Sequence, residues 1–370
     1  MDLSELRKEI DRVDDALVRL FVQRMEVSAQ IADYKKEHGL PIFIPAREAE
    51  KLQDVAQKAG ADMEVYTKVD IQSAERQIGY QDRILMLGSC FADNVGAKFT
   101  EHYFQATVNP YGTLYNPASI AATLSNQQDP IAEHQLLQHN GLWHSMMHHG
   151  CFSHPDKAEV LKRTKDSQTL LRKALQEAST VIITFGTAWV YEYEGEIVAN
   201  CHKLPAKEFV RRRLTVDDIL NIWRPILQQM PEKHWIFTVS PIRHIKDGLH
   251  ENQLSKAILL QAVEALGQSC AEARVSYFPA YEIMMDELRD YRFYAEDMVH
   301  PSTQAVEYIW QRFVETYINK DTQMEMRVLN QLWRDQHHKL LHPESKEAQT
   351  FMQRLEQRKE QLQKQYPWIE

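Results

Sequence analysis

Apolar residues near the start of the chain recur at alternating steps of three and four positions, the spacing of one face of a long helix. They are Leu3, Leu6, Ile10, Val13, Leu17, Leu20, Val27, Ile31 and Tyr34. Gly39 predicts the end of this helix, and the pattern over residues 46–58 predicts a second one. Over residues 65–71 apolar positions alternate, so we predict a strand, although Ser73 and Gln77 could instead share one face of a third helix.

Beyond residue 84 the pattern changes to short apolar runs that are separated by helical stretches. The runs cover residues 84–87, 181–184, 235–239 and 275–278. Such alternation predicts an α/β fold with a three-layer, doubly wound and mainly parallel sheet. Ligands of these sheets bind beyond the carboxyl ends of the strands. The residues that follow the runs are therefore site candidates, namely 88–90, 186–188 and 240–244.

Composition and charge are those of an ordinary soluble protein. Of the 370 residues, 44% are hydrophobic and 26% are charged, and no apolar run is long enough for a membrane span. The first residues lack the layout of a signal peptide, so we expect a cytoplasmic protein with three parts, residues 1–62, 63–320 and 321–370. The net charge of -9 gives no electrostatic reason for nucleic acid binding. The four cysteines are too scattered for a disulfide framework or a zinc knuckle.

Ser89 follows the first apolar run and precedes a predicted helix start, where backbone amides can hold a developing oxyanion. A serine in this position is also a common helix N-cap. Near the end of the α/β region, Asp297 precedes His300 by three residues, a spacing that lets the carboxylate orient the imidazole. Together, in this order along the chain, the three residues predict a catalytic triad.

The run Gly88-Ser89-Cys90-Phe91-Ala92 resembles the signature of the GSCFA family, a branch of the SGNH hydrolases. The resemblance covers roughly residues 65–365 and implies an SGNH-hydrolase-like domain with Ser89 as nucleophile and Asp297 and His300 as its partners. In these enzymes the serine amide, a glycine and the asparagine of a Gly-x-Asn block hold the oxyanion. Here that block reads Gly186-Thr187-Ala188, so the asparagine is missing. The candidate oxyanion donors are Gly112, Asn109, Gly186 and Thr187.

Two further groups are candidates for substrate binding. His148 and His149 lie within a histidine-rich stretch, where they could contact a substrate or simply lie at the surface. The stretch has no familiar metal-ligand spacing apart from Cys151, so we expect no metal site. Arg243 and His244 follow a predicted strand, and Arg243 could bind an anionic group or pair with a carboxylate at the edge of the core. Both interpretations of Arg243 stay open.

The first helix carries cations along its apolar seam. Arg24 takes the seam position between Leu20 and Val27, and Lys35 lies about three turns further along the same face. A charge on an apolar stripe is costly unless an ion pair or an anionic ligand compensates it. With Arg47 and Glu48 at the start of the second helix, this arrangement suits a small dicarboxylate.

Over about residues 3–62 this segment resembles the all-helical chorismate mutase family. The resemblance implies that Arg24, Lys35 and Arg47 hold the carboxylates and the ether oxygen of chorismate. Glu48 would hold its hydroxyl, and Arg7 would reach across a domain-swapped dimer. The third helix of that family is cut short where the α/β domain begins, so we expect a truncated segment with little or no mutase activity.

The leading expectation is hydrolysis of an acyl or acetyl ester on a carbohydrate or small metabolite, without a cofactor. Two alternatives stay open. One is a chorismate mutase with an accessory GSCFA domain, and the other is a non-catalytic binding module on an SGNH scaffold. The apolar seam of the first helix also predicts a homodimer formed through the N-terminal helices.

Overall fold

The computed structural model describes residues 3–37, 67–72, 74, 76–125, 133–270, 273–338, 342 and 344–369. The chain divides into two compact units, Met1–Val65 and Tyr66–Glu370. Within the described ranges, the first unit is a helix, and the second is a parallel sheet covered by helices. No helix in these ranges is both long enough and apolar enough to cross a bilayer.

The first unit contains helix α1, Leu3–Glu37, which confirms the helix predicted from the apolar spacing. Side chains of the predicted seam are exposed, among them Ile10, Val13, Leu20 and Val27. An amphipathic helix gains most of its stability by burying such a stripe, so the seam is a candidate packing surface. The second predicted helix, residues 46–58, lies outside the described residues.

A parallel sheet forms the centre of the second unit. In chain order, the described strands are β1 (Arg83–Gly88), β2 (Gln105–Val108), β3 (Leu136–His139), β4 (Leu142–Ser145), β5 (Thr180–Phe185), β6 (Trp189–Tyr193), β7 (Glu196–Val198), β8 (Phe209–Arg213), β9 (His234–Val239) and β10 (Arg274–Phe278). Five of them pair in parallel in the order β10-β9-β5-β1-β2, which confirms the predicted sheet. The strand order reverses direction between β1 and β5. The crevice at their carboxyl ends is therefore the topological switch point, where ligands of such sheets bind.

Helices cover both faces of this sheet. They are α2 (Cys90–Glu101), α3 (Pro117–Ser125), α4 (Lys157–Glu177), α5 (Val216–Gln229), α6 (Leu249–Ser269), α7 (Thr303–Tyr317), α8 (Lys320–Gln336) and α9 (Lys346–Gln365), with short helical turns at Ala280–Glu282 and Ile283–Glu287. Successive side chains of a strand point to opposite faces. Accordingly, Leu85 and Leu87 of β1 belong to one buried apolar cluster, and Ile84 and Met86 belong to the other. This is the predicted three-layer architecture.

Two small antiparallel sheets were not predicted from the sequence. Strands β3 and β4 form a hairpin, and β7, β6 and β8 form a three-stranded sheet. The basic run at residues 211–213 lies on β8, and carboxylates pair with each arginine. Arg211 pairs with Asp247, Arg212 with Glu192 and Asp218, and Arg213 with Glu251. These charges are compensated within the fold and do not form a free basic patch.

The strand predicted over residues 65–71 is wrong in its described part, because residues 67–72 belong to neither a strand nor a helix. Side chains, not a neighbouring strand, satisfy this backbone. The Val69 amide donates to Glu287 at 2.7 Å, and its carbonyl accepts from Arg312 at 2.6 Å. Glu287 and Arg312 are themselves a buried ion pair at 3.2 Å. Ser73 lies outside the described residues, and Gln77 is exposed and not helical.

Candidate active site

Ser89 lies in the turn between β1 and α2. Gly88 before it pairs with Thr184 of β5 and has a φ of 149°. A Cβ atom there would lie 2.3 Å from the Thr184 carbonyl oxygen, so the turn requires glycine. Ser89 is 1% exposed and caps α2, with its Oγ accepting a hydrogen bond from the Phe91 amide at 3.3 Å. The capping role uses the oxygen as an acceptor, which leaves the hydroxyl hydrogen available to a base.

Gly186 follows β5 and lies directly against Ser89. A Cβ atom on Gly186 would lie 2.9 Å from the carbonyl oxygen of Tyr115 and 3.4 Å from the Cβ atom of Ser89. The amides of Gly186 and Thr187 both donate to that Tyr115 oxygen, at 2.8 and 2.9 Å. Ser89, Tyr115 and Gly186 therefore meet at the switch point of the sheet.

Asp297 and His300 form a hydrogen-bonded pair. His300 Nδ1 lies 2.6 Å from Asp297 Oδ2, and the amides of Val299 and His300 each donate to Asp297 Oδ1 at 2.9 Å. The hydrogen bonds from the His300 amide, the His300 ring and the Val299 amide lower the pKa of Asp297 to about 2. A carboxylate acceptor at Nδ1 places the neutral ring's proton on that nitrogen and leaves Nε2 as the proton acceptor. Both side chains are partly exposed.

Arg243 holds the turn that precedes His300. Its amide donates to the Val299 carbonyl and its Nη1 to the Met298 carbonyl, both at 3.2 Å. The guanidinium also stacks over Tyr294 and Tyr291, at 5.1 and 5.8 Å from the ring centroids. The ion pair with a core-edge carboxylate that we considered for Arg243 is not among its contacts in the described residues. Arg243 thus contacts the turn that carries His300, and its predicted binding of an anionic group stays a prediction.

His244 lies beside Tyr115, with 6.4 Å between the two ring centroids. Burial lowers the pKa of His244 to about 4, Lys256 and His300 lower it as well, and Asp247 and the backbone of Gly186 oppose this. His244 is thus close enough to both His300 and Gly186 for electrostatic interaction. No hydrogen bond joins Ser89 directly to His300 among the described residues. The structure therefore brings Asp297 and His300 together, and the interaction of His300 with Ser89 stays a prediction.

The backbone amides predicted as oxyanion donors are already engaged within the loops. The Gly112 amide donates to the Asn109 carbonyl at 2.7 Å, and the Gly186 and Thr187 amides donate to Tyr115. The Thr187 hydroxyl lies 3.1 Å from Ser255 Oγ. In this conformation these three residues maintain the loop structure.

Asn109 is the predicted donor with unused capacity. Its Oδ1 accepts from the Gly88 amide at 2.8 Å, and its Nδ2 donates to Asp93 at 2.6 Å. An amide nitrogen carries two hydrogens, so one donor of Asn109 remains beyond the bond to Asp93. The hydrogen bond from Gly88 holds the Asn109 side chain next to Ser89, because Gly88 directly precedes the serine. Asn109 is therefore the best placed of the predicted donors.

His148 is enclosed by other side chains in this structure, and its predicted contact with a substrate stays a prediction. It is 0% exposed, stacks on Tyr111 at 4.2 Å between ring centroids, and lies 2.8 Å from Ser145 Oγ through Nδ1. Burial and the neighbouring His202 lower its pKa to about 3. His149, by contrast, is only partly buried and lies against Gly112. Of the two histidines, His149 alone keeps a position from which it could contact a ligand.

The residues predicted to bind chorismate are described only in part. Arg7 lies exposed on α1, and Arg24 and Lys35 belong to the same helix. Arg47 and Glu48 lie outside the described residues. The geometry of that predicted site therefore stays a prediction.

A cavity of about 230 Å³ opens next to Arg243. Its walls are mainly apolar and aromatic, with Leu249, Tyr281, Met284, Met285, Leu288, Tyr291 and Tyr294 among the lining residues. Arg243 lines the cavity and also contacts the residues just before His300. An apolar part of a substrate could be bound there, beside the predicted base.

Sequence reasoning missed Tyr115 and Lys256. Tyr115 acts through its carbonyl oxygen, which no residue type reveals. Lys256 lies fully buried in α6 and donates to the carbonyl oxygens of Gly186 and Ser240. A lysine between the apolar positions Leu254 and Ile258 was the available signal, because buried lysines are rare unless their charge has a partner.

Two family models match successive parts of the chain. The model of the GSCFA family matches residues 83–313, which is more than half of the chain. The model of chorismate mutase type II matches residues 6–77, somewhat further than the predicted resemblance. No solved structure is significantly similar.

The T-proteins and chorismate mutases among the curated relatives match the N-terminal part. The T-protein of Haemophilus influenzae is 36% identical over 88 residues, covering 21% of this chain and 23% of that protein. The T-protein of Enterobacter agglomerans is 42% identical over 60 residues, 16% of each chain. The bifunctional chorismate mutase/prephenate dehydratase of Aquifex aeolicus is 38% identical over 73 residues, 20% of this chain and 19% of that protein. This chain thus spans less than a quarter of each of these relatives.

These matches confirm both predicted resemblances. The N-terminal segment is of the chorismate mutase type II kind. The parallel sheet, with Ser89 at its switch point and the Asp297–His300 pair, lies within the larger match. The chain belongs to the GSCFA family.

Proposed function

We propose that the GSCFA domain is a serine ester hydrolase that removes an acyl group from a carbohydrate or small metabolite. The observation that carries the proposal is the 2.6 Å hydrogen bond between His300 Nδ1 and Asp297 Oδ2, in a turn that contacts Arg243 after β9, while Ser89 follows β1. In this mechanism, the Ser89 hydroxyl attacks the ester carbonyl and His300 Nε2 takes its proton. The protonated ring then gives that proton to the leaving alcohol, and water hydrolyses the acyl-serine by the same steps.

Asp297 supports this mechanism in two ways. Its lowered pKa keeps it ionised throughout the neutral range, so it can stabilise the imidazolium that forms on His300. Its second oxygen is fixed by two backbone amides, which orients the carboxylate before any substrate binds. In the absence of substrate, catalytic hydrogen bonds are often long and tighten only in the complex. We therefore expect the turn that carries His300 to close onto Ser89 when an ester binds.

A pair of serine variants tests the proposal. Ser89→Ala removes both a helix cap and the proposed nucleophile, whereas Ser345→Ala removes only a cap, since Ser345 Oγ accepts from the Ala348 amide of α9. Both variants should lose about 1 kcal/mol of stability. Only Ser89→Ala should abolish hydrolysis of a small acetyl ester. Equal activity of the two variants would show that Ser89 is a cap and nothing more.

The N-terminal segment offers a second candidate function, chorismate mutase activity, which the family match and the cations of α1 favour. The rearrangement of chorismate needs positioning and electrostatic stabilisation, not a nucleophile. We expect little or no activity, because residues 67–72, near the end of the matched region, are not helical and Glu287 and Arg312 bind the backbone of Val69. A prephenate assay decides this, and turnover at the level of an intact mutase would contradict the expectation. If neither hydrolysis nor prephenate formation occurs, the alternative of a binding module is favoured.

We also propose that α1 mediates a homodimer. Ile10 and Val13 are exposed on its apolar seam, and burial of such a stripe is the usual way in which a long amphipathic helix is stabilised. Sedimentation of the wild type should report a dimer, and Ile10→Lys should shift it to a monomer. Gln23→Lys on the same helix is the control for the added charge and should leave the dimer intact. A monomeric wild type would contradict the proposal.

A further inference from the structure

Three buried polar residues of α6 face the ends of two sheet strands. Asn252, Ser255 and Lys256 are spaced at i, i+3 and i+4, so they share one face of the helix. They are 3%, 2% and 1% exposed. Burial of a lysine is costly, because its charge loses its hydration. Such a residue calls for an explanation beyond packing.

Each of the three residues binds a loop at the carboxyl end of β5 or β9. Lys256 Nζ donates to the Gly186 carbonyl at 2.6 Å and to the Ser240 carbonyl at 2.7 Å. Ser255 Oγ accepts from the Ala188 amide at 2.8 Å. Asn252 Oδ1 accepts from the His244 amide at 2.9 Å. Lys256 is the member that joins both loops, since it binds one carbonyl oxygen from each.

The Gly186 peptide is fixed from two sides. Its amide donates to Tyr115, and its carbonyl accepts from Lys256. Gly186 in turn lies against Ser89, with 3.4 Å between the Cβ of Ser89 and the position that a Cβ of Gly186 would take. A shift of the Gly186 carbonyl would therefore displace the surface on which the serine packs.

The charge of Lys256 also reaches the residue after Ser89. Burial and Asp93 raise the pKa of the Cys90 thiol, and Lys256 opposes this, as do the backbone amides of Cys90 and Phe91. Besides these groups, the Tyr281 ring lies 5.8 Å from Lys256 Nζ, and His244 interacts with it electrostatically. Lys256 thus interacts with both the Ser89 turn and the His244 loop.

We propose that Lys256 is a positioning residue for the Ser89 site, which holds the carboxyl ends of β5 and β9 together through the Gly186 and Ser240 carbonyl oxygens. This inference rests on the proposed hydrolase function.

Lys233 provides a matched control at the opposite edge of the same sheet. It is also buried, at 6% exposure, and its Nζ donates to the Ala178 carbonyl just before β5 at 2.8 Å. Lys233→Met and Lys256→Met each remove a buried ammonium that binds a strand-end carbonyl, but only the second is near Ser89. Methionine keeps most of the side-chain volume and lacks the donors.

The experiment compares steady-state hydrolysis of a small acetyl ester by the wild type, Lys256→Met, Lys256→Arg and Lys233→Met, together with their melting temperatures. We expect Lys256→Met to lower kcat by on the order of 10²-fold with little change in KM and with no larger a loss of melting temperature than Lys233→Met shows. Lys256→Arg, which keeps the donors, should recover part of kcat, and Lys233→Met should keep the wild-type kcat. A kcat of Lys256→Met within about twofold of the wild type, or an equal loss in Lys233→Met, would overturn the proposal.

A second readout does not depend on hydrolysis. The rate at which iodoacetamide alkylates the partly buried Cys90 depends on its thiolate fraction and on how the Ser89 turn encloses it, so loss of Lys256 should change that rate at pH 7, while the exposed Cys151 serves as internal control. An unchanged Cys90 rate would count against the proposal, because removal of Lys256 would then leave the Ser89 turn unaltered. A wild type that hydrolyses no ester would instead count against the proposed function, and the Cys90 rate would still test Lys256.

Discussion

Replacing Asp297 by asparagine should inactivate the proposed hydrolase without disturbing its fold. Asp297 Oδ1 accepts from the Val299 and His300 amides at 2.9 Å, and an asparagine oxygen can keep both bonds. Oδ2, 2.6 Å from His300 Nδ1, becomes an amide donor. The ring must then accept at Nδ1 and carry its proton on Nε2, where it cannot take the proton of Ser89. A wrong tautomer of this kind lowers kcat by on the order of 10⁴-fold.

The assay is steady-state hydrolysis of a small acetyl ester, with Asp156→Asn as the matched control. Asp156 caps α4 in the same way, with Oδ1 accepting from the Ala158 amide at 2.9 Å, and it has no contact with His300 among the described residues. We expect the control to keep wild-type kcat and both variants to melt at similar temperatures. If Asp297→Asn retains kcat within about tenfold of the wild type, His300 is not the general base that the structure suggests.

Three further predictions concern Ala188, Lys256 and Arg312. Ala188→Asn restores the family's Gly-x-Asn block, but Ala188 is 0% exposed and has no room for an amide. The substitution should therefore lower the free energy of unfolding by about 1–3 kcal/mol and should not raise kcat. A rise in kcat would contradict this prediction. Burial lowers the pKa of Lys256 from 10.5 to about 7, so between these pH values the unfolded chain binds more protons than the folded one. The contribution of this residue to the free energy of unfolding should therefore rise with pH. Urea titrations from pH 7 to 10 should show a steeper rise of that free energy with pH for the wild type than for Lys256→Met. Arg312→Met leaves Glu287 buried without its cation, so the free energy of unfolding measured in urea should fall by about 3–5 kcal/mol. Glu315→Gln removes the exposed partner of the same arginine and should lower it by less than about 1 kcal/mol.

The parts of the fold that depend on local pattern were predictable. The run at residues 84–87 becomes the buried strand β1, because a central parallel strand is covered on both faces and must be apolar throughout. Ser89 follows it at the strand end for the same reason. The Asp297–His300 bond was also foreseen, because it joins residues three positions apart. The long separation in sequence between this pair and Ser89 did not affect that prediction.

Contacts between distant elements were not predictable. Residues 67–72 alternate like a strand, yet Glu287 and Arg312, more than 200 positions away, satisfy the backbone of Val69. His148 and His149 are adjacent in sequence, but one is enclosed by Tyr111 and Ser145, and the other lies beside Gly112. The role of Lys256 depends on two loops that meet only in the folded sheet. In each case the sequence shows the residue but does not show which distant residue it contacts in the folded protein.

The central claim is that Ser89 is a nucleophile activated by His300, and labelling with a fluorophosphonate tests it most directly. The reagent forms a covalent bond only with an activated serine, and peptide mass spectrometry identifies which residue carries it. We predict one label per chain, located on Ser89, with labelling strongly slowed in His300→Gln. Labelling that is absent from Ser89, or equally fast in His300→Gln, would contradict the claim.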